Sequence, residues 1–232
     1  MEKDFENLHA VVTGAGGELG RAVLRLLVER GAVCHLPVRG EARADRFGVD
    51  PASVRPVGGV DLSDEASVGA LYAGLPALWC SVHCAGGFEA GPFASAPAEQ
   101  LERMLSINTR TAFLCCREAV RRMGPEGGRI VNVVARPALE PASGAGMVAY
   151  AMSKAAVAAL TVALAREVLG RGIRVNGVAP SILDTPANRR AMPDADPSRW
   201  PSVDEVAQAA AFLASPANRS VSGALLPIYG AV

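Results

Sequence analysis

The chain has no surplus of either charge: 23 lysines and arginines stand against 23 aspartates and glutamates, a formal net charge of zero. A dedicated DNA or RNA binder, or a protein drawn to anionic membranes, needs a field that this balance does not supply. Disulfide patterning is also missing. The five cysteines are odd in number, contain no CxxC pair and include the adjacent Cys115 and Cys116. A disulfide framework is thereby excluded, and a reducing, cytoplasmic location is expected. Histidine is scarce, with three in all. His83 and Cys84, with Cys80, are the nearest approach to a metal-ligating set. On a strand, however, Cys80, Val82 and Cys84 share one face while His83 points away, so no metal is expected. The longest apolar stretch, Ala155 to Ala165, is flanked by Lys154 and Arg166 and is too short to cross a bilayer. The opening Met-Glu-Lys-Asp-Phe-Glu-Asn lacks an apolar h-region, so neither a signal peptide nor membrane attachment is expected.

What is present is alternation. Over 232 residues, half of them hydrophobic, short apolar runs alternate with longer helical periods. That pattern predicts a parallel sheet with helices on both faces. Strands are expected at His9 to Thr13, Val33 to Val38, Val54 to Val60, Leu78 to His83, Arg129 to Val134, Arg174 to Ala179 and Leu225 to Tyr229. A first helix follows from the spacing of Leu19, Val23, Leu26 and Leu27, stopped at Gly31. Further helices are expected at 98–123, 150–169 and 203–213. The expected fold is a single doubly wound Rossmann-type domain over 1–232. The proline-rich stretch 181–202 would form an irregular flap beside the cleft, because ligands in such folds bind off the carboxyl ends of the strands.

The segment Thr13-Gly-Ala-Gly-Gly-Glu-Leu-Gly20 follows a strand and opens a helix. In that context Gly14, Gly16, Gly17 and Gly20, with the Leu19 backbone, suit a dinucleotide diphosphate resting on a helix N-terminus. Glycines in βα turns also serve conformation alone. Arg39 lies 19 residues beyond Gly20. It suits a ribose 2′-phosphate, and hence NADP(H) before NAD(H), or else it is a solvated strand-end charge. Asp61 either contacts adenine or caps the helix after it.

Together with Asn108, Tyr150-Ala-Met-Ser-Lys154 and Arg174-Val-Asn-Gly-Val-Ala-Pro180, this turn resembles the short-chain dehydrogenase/reductase family over essentially the whole chain. Tyr150 and Lys154 are one helical turn apart on one face. A nearby ammonium is expected to lower the phenol pKa from about 10 toward working pH, making Tyr150 a general acid or base. The resemblance implies that Lys154 also holds the nicotinamide ribose, that Asn108 anchors a water of the proton relay, and that Ala85, Gly86, Pro180 and Thr185 line the cofactor. It further implies a homodimer or homotetramer through helices 98–123 and 150–169, where Cys115 and Cys116 suit close packing.

Three positions depart from the family pattern. Glu18 stands where a turn glycine is usual, and either competes for the diphosphate donors or swings outward. Cys84 occupies a usual asparagine place. Ala135 (or Val134) stands at the usual catalytic serine, and a methyl cannot donate to a carbonyl oxygen. Ser143, in the loop ahead of Tyr150, either replaces that hydroxyl or serves its turn. A serine-less site with the Tyr–Lys pair kept resembles dihydropteridine reductase. Tyr229 replaces a usual acidic residue and is read as packing. Met192 and Trp200 are candidates for substrate contact or for covering the core. The expected activity is NAD(P)H-dependent hydride transfer to a carbonyl, imine or quinonoid small molecule. The alternatives are a non-redox proton transfer on the same fold, a non-catalytic partner, or a structural oligomer.

Overall fold

In the computed structural model, which describes residues 3–232, seven strands form one all-parallel sheet. They are β1 (His9–Thr13), β2 (Val33–Pro37), β3 (Val54–Val57), β4 (Cys80–His83), β5 (Gly128–Val133), β6 (Ile173–Pro180) and β7 (Leu225–Ile228), in the order β3-β2-β1-β4-β5-β6-β7. The fold is the Rossmann-type α/β architecture expected from the alternation. Ala10, Val11 and Val12 are all fully buried, because a parallel strand is covered on both faces and has no polar alternation.

One face is packed by α1 (Glu18–Glu29) and α8 (Val203–Ala214). Leu24 and Leu27 of α1 are fully buried there, each stabilising the fold by roughly 2 kcal/mol. The other face is covered by α2 (Glu65–Ala73), α4 (Thr111–Arg122) and α6 (Val148–Glu167). Side chains fix the starts of both α2, where Asp64 accepts from Ser67 N, and α8, where Ser202 with Glu205 forms a capping box.

Several elements differ from expectation. The ladder of β4 begins at Cys80, not Leu78, and β3 ends at Val57 because Gly58 and Gly59 (φ +70°) turn the chain away. The stretch 98–123 is α3 (Ala98–Met104), a π-helical turn (Leu105–Arg110) and α4 in succession. Helix α6 starts at Val148, so Tyr150 sits in its first turn. At 20 residues α6 is long and apolar enough to cross a bilayer, beyond what its apolar core suggested. It is a packed helix here, burying Lys154, Val157, Thr161 and Ala165. The stretch 181–202 holds a short α7 (Pro186–Ala191) and an Asp184–Arg189 ion pair. A short α5 (Arg136–Leu139) follows β5.

Candidate active site

The strand order reverses between β1 and β4, and the carboxyl ends of the two strands open a cleft of about 320 Å³ lined by Gly14, Arg39, Ala85, Gly86 and Ile107. Gly14 has φ +67°, and a Cβ there would lie 2.7 Å from Ala85 N. A Cβ on Gly20 would lie 2.1 Å from Gly14 O. These two glycines are demanded by the fold itself. Gly16 is different: it is exposed, its φ is not positive, and a Cβ would meet nothing within 4 Å. Gly17, the N-cap of α1, would meet only Gly14 O at 3.5 Å. Bare backbone that the fold does not require, at the start of a 12-residue helix with no side-chain cap, fits a dinucleotide diphosphate. Glu18 is exposed, so its carboxylate is directed to solvent and does not occupy those donors.

On the β4 side, Asn108 sits within the π turn. Its Oδ1 accepts from Gly87 N at 2.9 Å, and its Nδ2 donates to Gly87 O and Ser153 Oγ, both at 3.0 Å. Ser153 Oγ in turn donates to Tyr150 O at 2.7 Å. A Cβ on Gly86 would lie 2.6 Å from Asn108 Oδ1 and 3.5 Å from Lys154 Nζ. Asn108, Gly86 and Lys154 therefore meet at one end of the cleft, and the Tyr150 backbone is tied to them through Ser153. Local π geometry in a helix is common where side chains must be re-aimed.

The electrostatics of the pair run opposite to expectation. Burial pushes the Tyr150 phenol up to about 12. The Lys154 ammonium donates instead to Val133 O at 2.8 Å, and burial pushes its pKa down to about 8. Helical spacing places both residues on one face, but the β5 carbonyl claims the ammonium and leaves desolvation to dominate the phenol.

The other departures resolve into specific contacts. Ala135 is buried at the end of β5 and offers only its methyl. Ser143 Oγ donates to Glu140 O at 2.8 Å, so that hydroxyl is engaged in its own turn. Cys84 packs against the α1 and α8 side of the sheet, and burial pushes its thiol up to about 12. His83 points the other way, as strand alternation requires. Its Nδ1 lies 2.8 Å from Asn132 Oδ1 and its Nε2 2.8 Å from Ser81 Oγ. Cys115 and Cys116 are buried against the sheet rather than placed on an outer helix face.

Arg39 is exposed at the cleft mouth. Asp61 does not cap α2, which Asp64 does; its Oδ1 accepts from Ser63 N at 2.9 Å and Ser63 Oγ at 2.7 Å. Those bonds hold its carboxyl below the usual range. Pro180 ends β6, and Thr185 is the N-cap of α7, accepting from Asn188 N at 3.2 Å. Trp200 is buried, and Met192 is half-buried where α7 ends. Tyr229 packs its ring under Arg136 at 4.9 Å. Two residues at the site had no sequence signal. Gly87 is clamped by Asn108, and Phe88 lies edge-on against Tyr150 with ring centroids 5.0 Å apart.

Comparison with known proteins places this geometry among relatives. Residues 14–230 match the family model described as enoyl-(acyl carrier protein) reductase. The chain is 37% identical to cis-4-hydroxycyclohexanecarboxylate dehydrogenase of Sinomonas cyclohexanicum, covering 99% of this chain and 98% of that protein. It is 29% identical to the (+)-cis,cis-nepetalactol synthase of Nepeta racemosa, over 100% of this chain and 94% of that one. A solved short-chain type dehydrogenase/reductase from Mycobacterium ulcerans superposes with a TM-score of 0.86 at 26% identity, covering 98% of this chain and 90% of that one.

Proposed function

The chain belongs to the short-chain dehydrogenase/reductase family, enzymes of NAD(P)-dependent oxidoreduction, and from that footing we propose an NADP(H)-dependent reductase of a small-molecule carbonyl, imine or quinonoid group, with Tyr150 as proton donor. The observation that carries it is the meeting of Asn108 and Lys154 at Gly86, with Tyr150 one helical turn before Lys154 and tied to Asn108 through Ser153, at the end of a cleft whose other wall is the glycine turn. Bound there, the dinucleotide supplies the hydride. The N–H groups of the turn, from Gly16 to Gly20, would hold its diphosphate, Arg39 the 2′-phosphate and Asp61 the adenine. Lys154 would hold the nicotinamide ribose, with Ala85, Gly86, Pro180 and Thr185 along the nicotinamide half. A phenol raised to about 12 stays protonated at neutral pH and serves reduction by giving its proton to the substrate oxygen or nitrogen. Met192, half-buried where α7 ends, is kept as a candidate for substrate contact.

Titration of the dinucleotides tests this. NADPH should bind at least tenfold tighter than NADH, and Arg39→Asp should reverse the order, as charge-assisted phosphate contacts are worth about ten- to a hundredfold. Gly16→Ala should keep wild-type thermal stability yet weaken NADPH binding, whereas Gly20→Ala should unfold at clearly lower temperature through its clash with Gly14 O. Failure of both dinucleotides to bind at millimolar concentration removes the proposal.

A second reading has two observations in its favour: Ala135 supplies no hydroxyl, and a relative over the full chain is named a synthase. On that reading the site moves protons without net redox change. Ala135→Ser decides between the two. Restoring a donor should raise carbonyl reduction by about ten- to a thousandfold; substrate conversion with unchanged nicotinamide absorbance, in both proteins, supports the non-redox reading.

We also read the protein as a cytoplasmic homodimer or homotetramer. Leu105 and Phe113 on one helical stretch, and Met152 and Val162 on α6, are large apolar side chains left exposed. Light scattering should give two or four times the 24.0 kDa chain mass; a monomer contradicts it.

A further inference from the structure

Phe88 is 59% exposed, yet it is not free to fold away. The residue before it is tied through both backbone groups to the Asn108 side chain, at 2.9 and 3.0 Å. A Cβ on Gly87 would lie 2.3 Å from Ile107 Cδ1, so that backbone is pressed against the π turn. Beyond it, Gly91 N donates to Gly146 O at 2.7 Å, fastening the same loop to the segment ahead of α6. Between these anchors the Phe88 ring stands at 78° to the Tyr150 ring, edge to face. An aromatic held in place beside the proposed proton donor keeps most of its surface available for packing against a ligand ring.

Apolar groups also stand past the carboxyl ends of two neighbouring strands. Ala135 presents a methyl at the end of β5, and Ile182, just past the end of β6, is 39% exposed. Of the cations at this end of the sheet, Arg136 is occupied, its Nε donating to Glu140 Oε2 at 2.7 Å and its guanidinium covering the Tyr229 ring, and the Lys154 ammonium donates to Val133 O. Nothing in this set hydrogen-bonds a run of hydroxyls. Aromatic and aliphatic walls favour a flat or compact apolar ring.

We infer that the substrate carries its reacting carbon in, or directly on, an apolar ring, and that Phe88 selects it by packing against that ring. The inference rests on the reading of Tyr150 as proton donor, and open-chain polyols are excluded by it. Phe88 would be a specificity-determining residue, and Asn108 a positioning residue that acts through Gly87.

The test is a binding titration on the full protein with saturating NADP⁺, which cannot reduce a ketone, and again without it. The probes are α-tetralone as the ring ketone, 2-octanone as an open-chain ketone and sorbitol as a polyol. The ring ketone should bind at least tenfold tighter than either comparator. Phe88→Ala should weaken it about ten- to a hundredfold, Phe88→Tyr should restore most of the loss, and NADP⁺ affinity should stay unchanged in both. Equal affinity for α-tetralone and 2-octanone, or an unaltered ring affinity in Phe88→Ala, overturns the inference. So does a Phe88→Ala protein whose only change is its solution mass, which would mean that a second copy covers the ring. Ring binding as expected, with no NADPH consumed in a separate assay where NADPH replaces NADP⁺, upholds the inference and removes the reductase reading instead.

Discussion

Tyr150→Phe is expected to lower carbonyl reduction by about 10²- to 10⁴-fold, the usual worth of a positioned proton donor, while melting at the wild-type temperature. Both halves follow from the same geometry. The substitution deletes only the phenol oxygen. The ring contact with Phe88 and the Ser153 bond to the Tyr150 carbonyl do not involve that oxygen, so the start of α6 stays as it is. NADPH affinity should likewise be unchanged, since the residues proposed to hold it lie elsewhere. The pH profile supplies a second check. With the phenol at about 12, the donor remains protonated throughout the neutral range. Lys154 falls to about 8, so its ammonium is present below that pH and lost above it. Reduction should therefore be flat through neutrality and decline with a midpoint near 8, the sense expected if a cation is needed beside the reacting pair. Retained turnover in Tyr150→Phe would show the donor to be misassigned; a profile unchanged through pH 9 would show the same of Lys154.

How much of this was legible in the sequence depends on whether a feature is local. Strands β1, β2, β5 and β6 and helix α1 were readable because each is an apolar run or an apolar stripe closed by glycine or proline. The glycine turn was readable for the same reason, and the structure adds which glycines serve the fold (Gly14, Gly20) and which do not (Gly16). What escaped was set across the chain. Helical periodicity barely registers the π turn at Leu105–Arg110, which is imposed where Asn108 reaches over to Gly87. The spacing of Tyr150 and Lys154 names a face, yet the ammonium is claimed by Val133 of another element, and the expected direction of the phenol shift reversed. Cys115 and Cys116 looked like interface material from composition alone, but their position on α4 points them at the sheet. Phe88 gave no signal, because its meaning comes from a loop that two distant backbone contacts hold over α6.

Acid should begin to destabilise the protein before most of its carboxylates titrate, and His83 is a principal reason. The imidazole is buried in a directed chain of hydrogen bonds. Thr161 Oγ1 donates to Val157 O and accepts from Asn132 Nδ2 at 2.9 Å, so Asn132 must accept through Oδ1. His83 Nδ1–H therefore donates to Asn132, and Nε2 is left to accept from Ser81, which accepts in turn from Tyr72. A second ring proton would sit on Nε2, facing a hydroxyl already oriented to donate there, in a buried site. Burial pushes His83 from its ordinary 6.5 to about 4. Because the folded value is the lower one, the unfolded chain takes up the proton first as pH falls. The stabilisation is complete above 6.5 and is lost between 6.5 and 4, a gap corresponding to roughly 3 kcal/mol. Urea unfolding should show about 2 kcal/mol of that loss by pH 5. Burial also pushes His35 to about 4, so it adds in the same direction and part of the slope should survive when His83 is replaced. The decisive comparison is His83→Asn, which keeps a polar side chain but removes the titration. Its stability should change less than the wild type between pH 6.5 and 5, and equal slopes in the two proteins would mean that the buried imidazole is not what acid attacks.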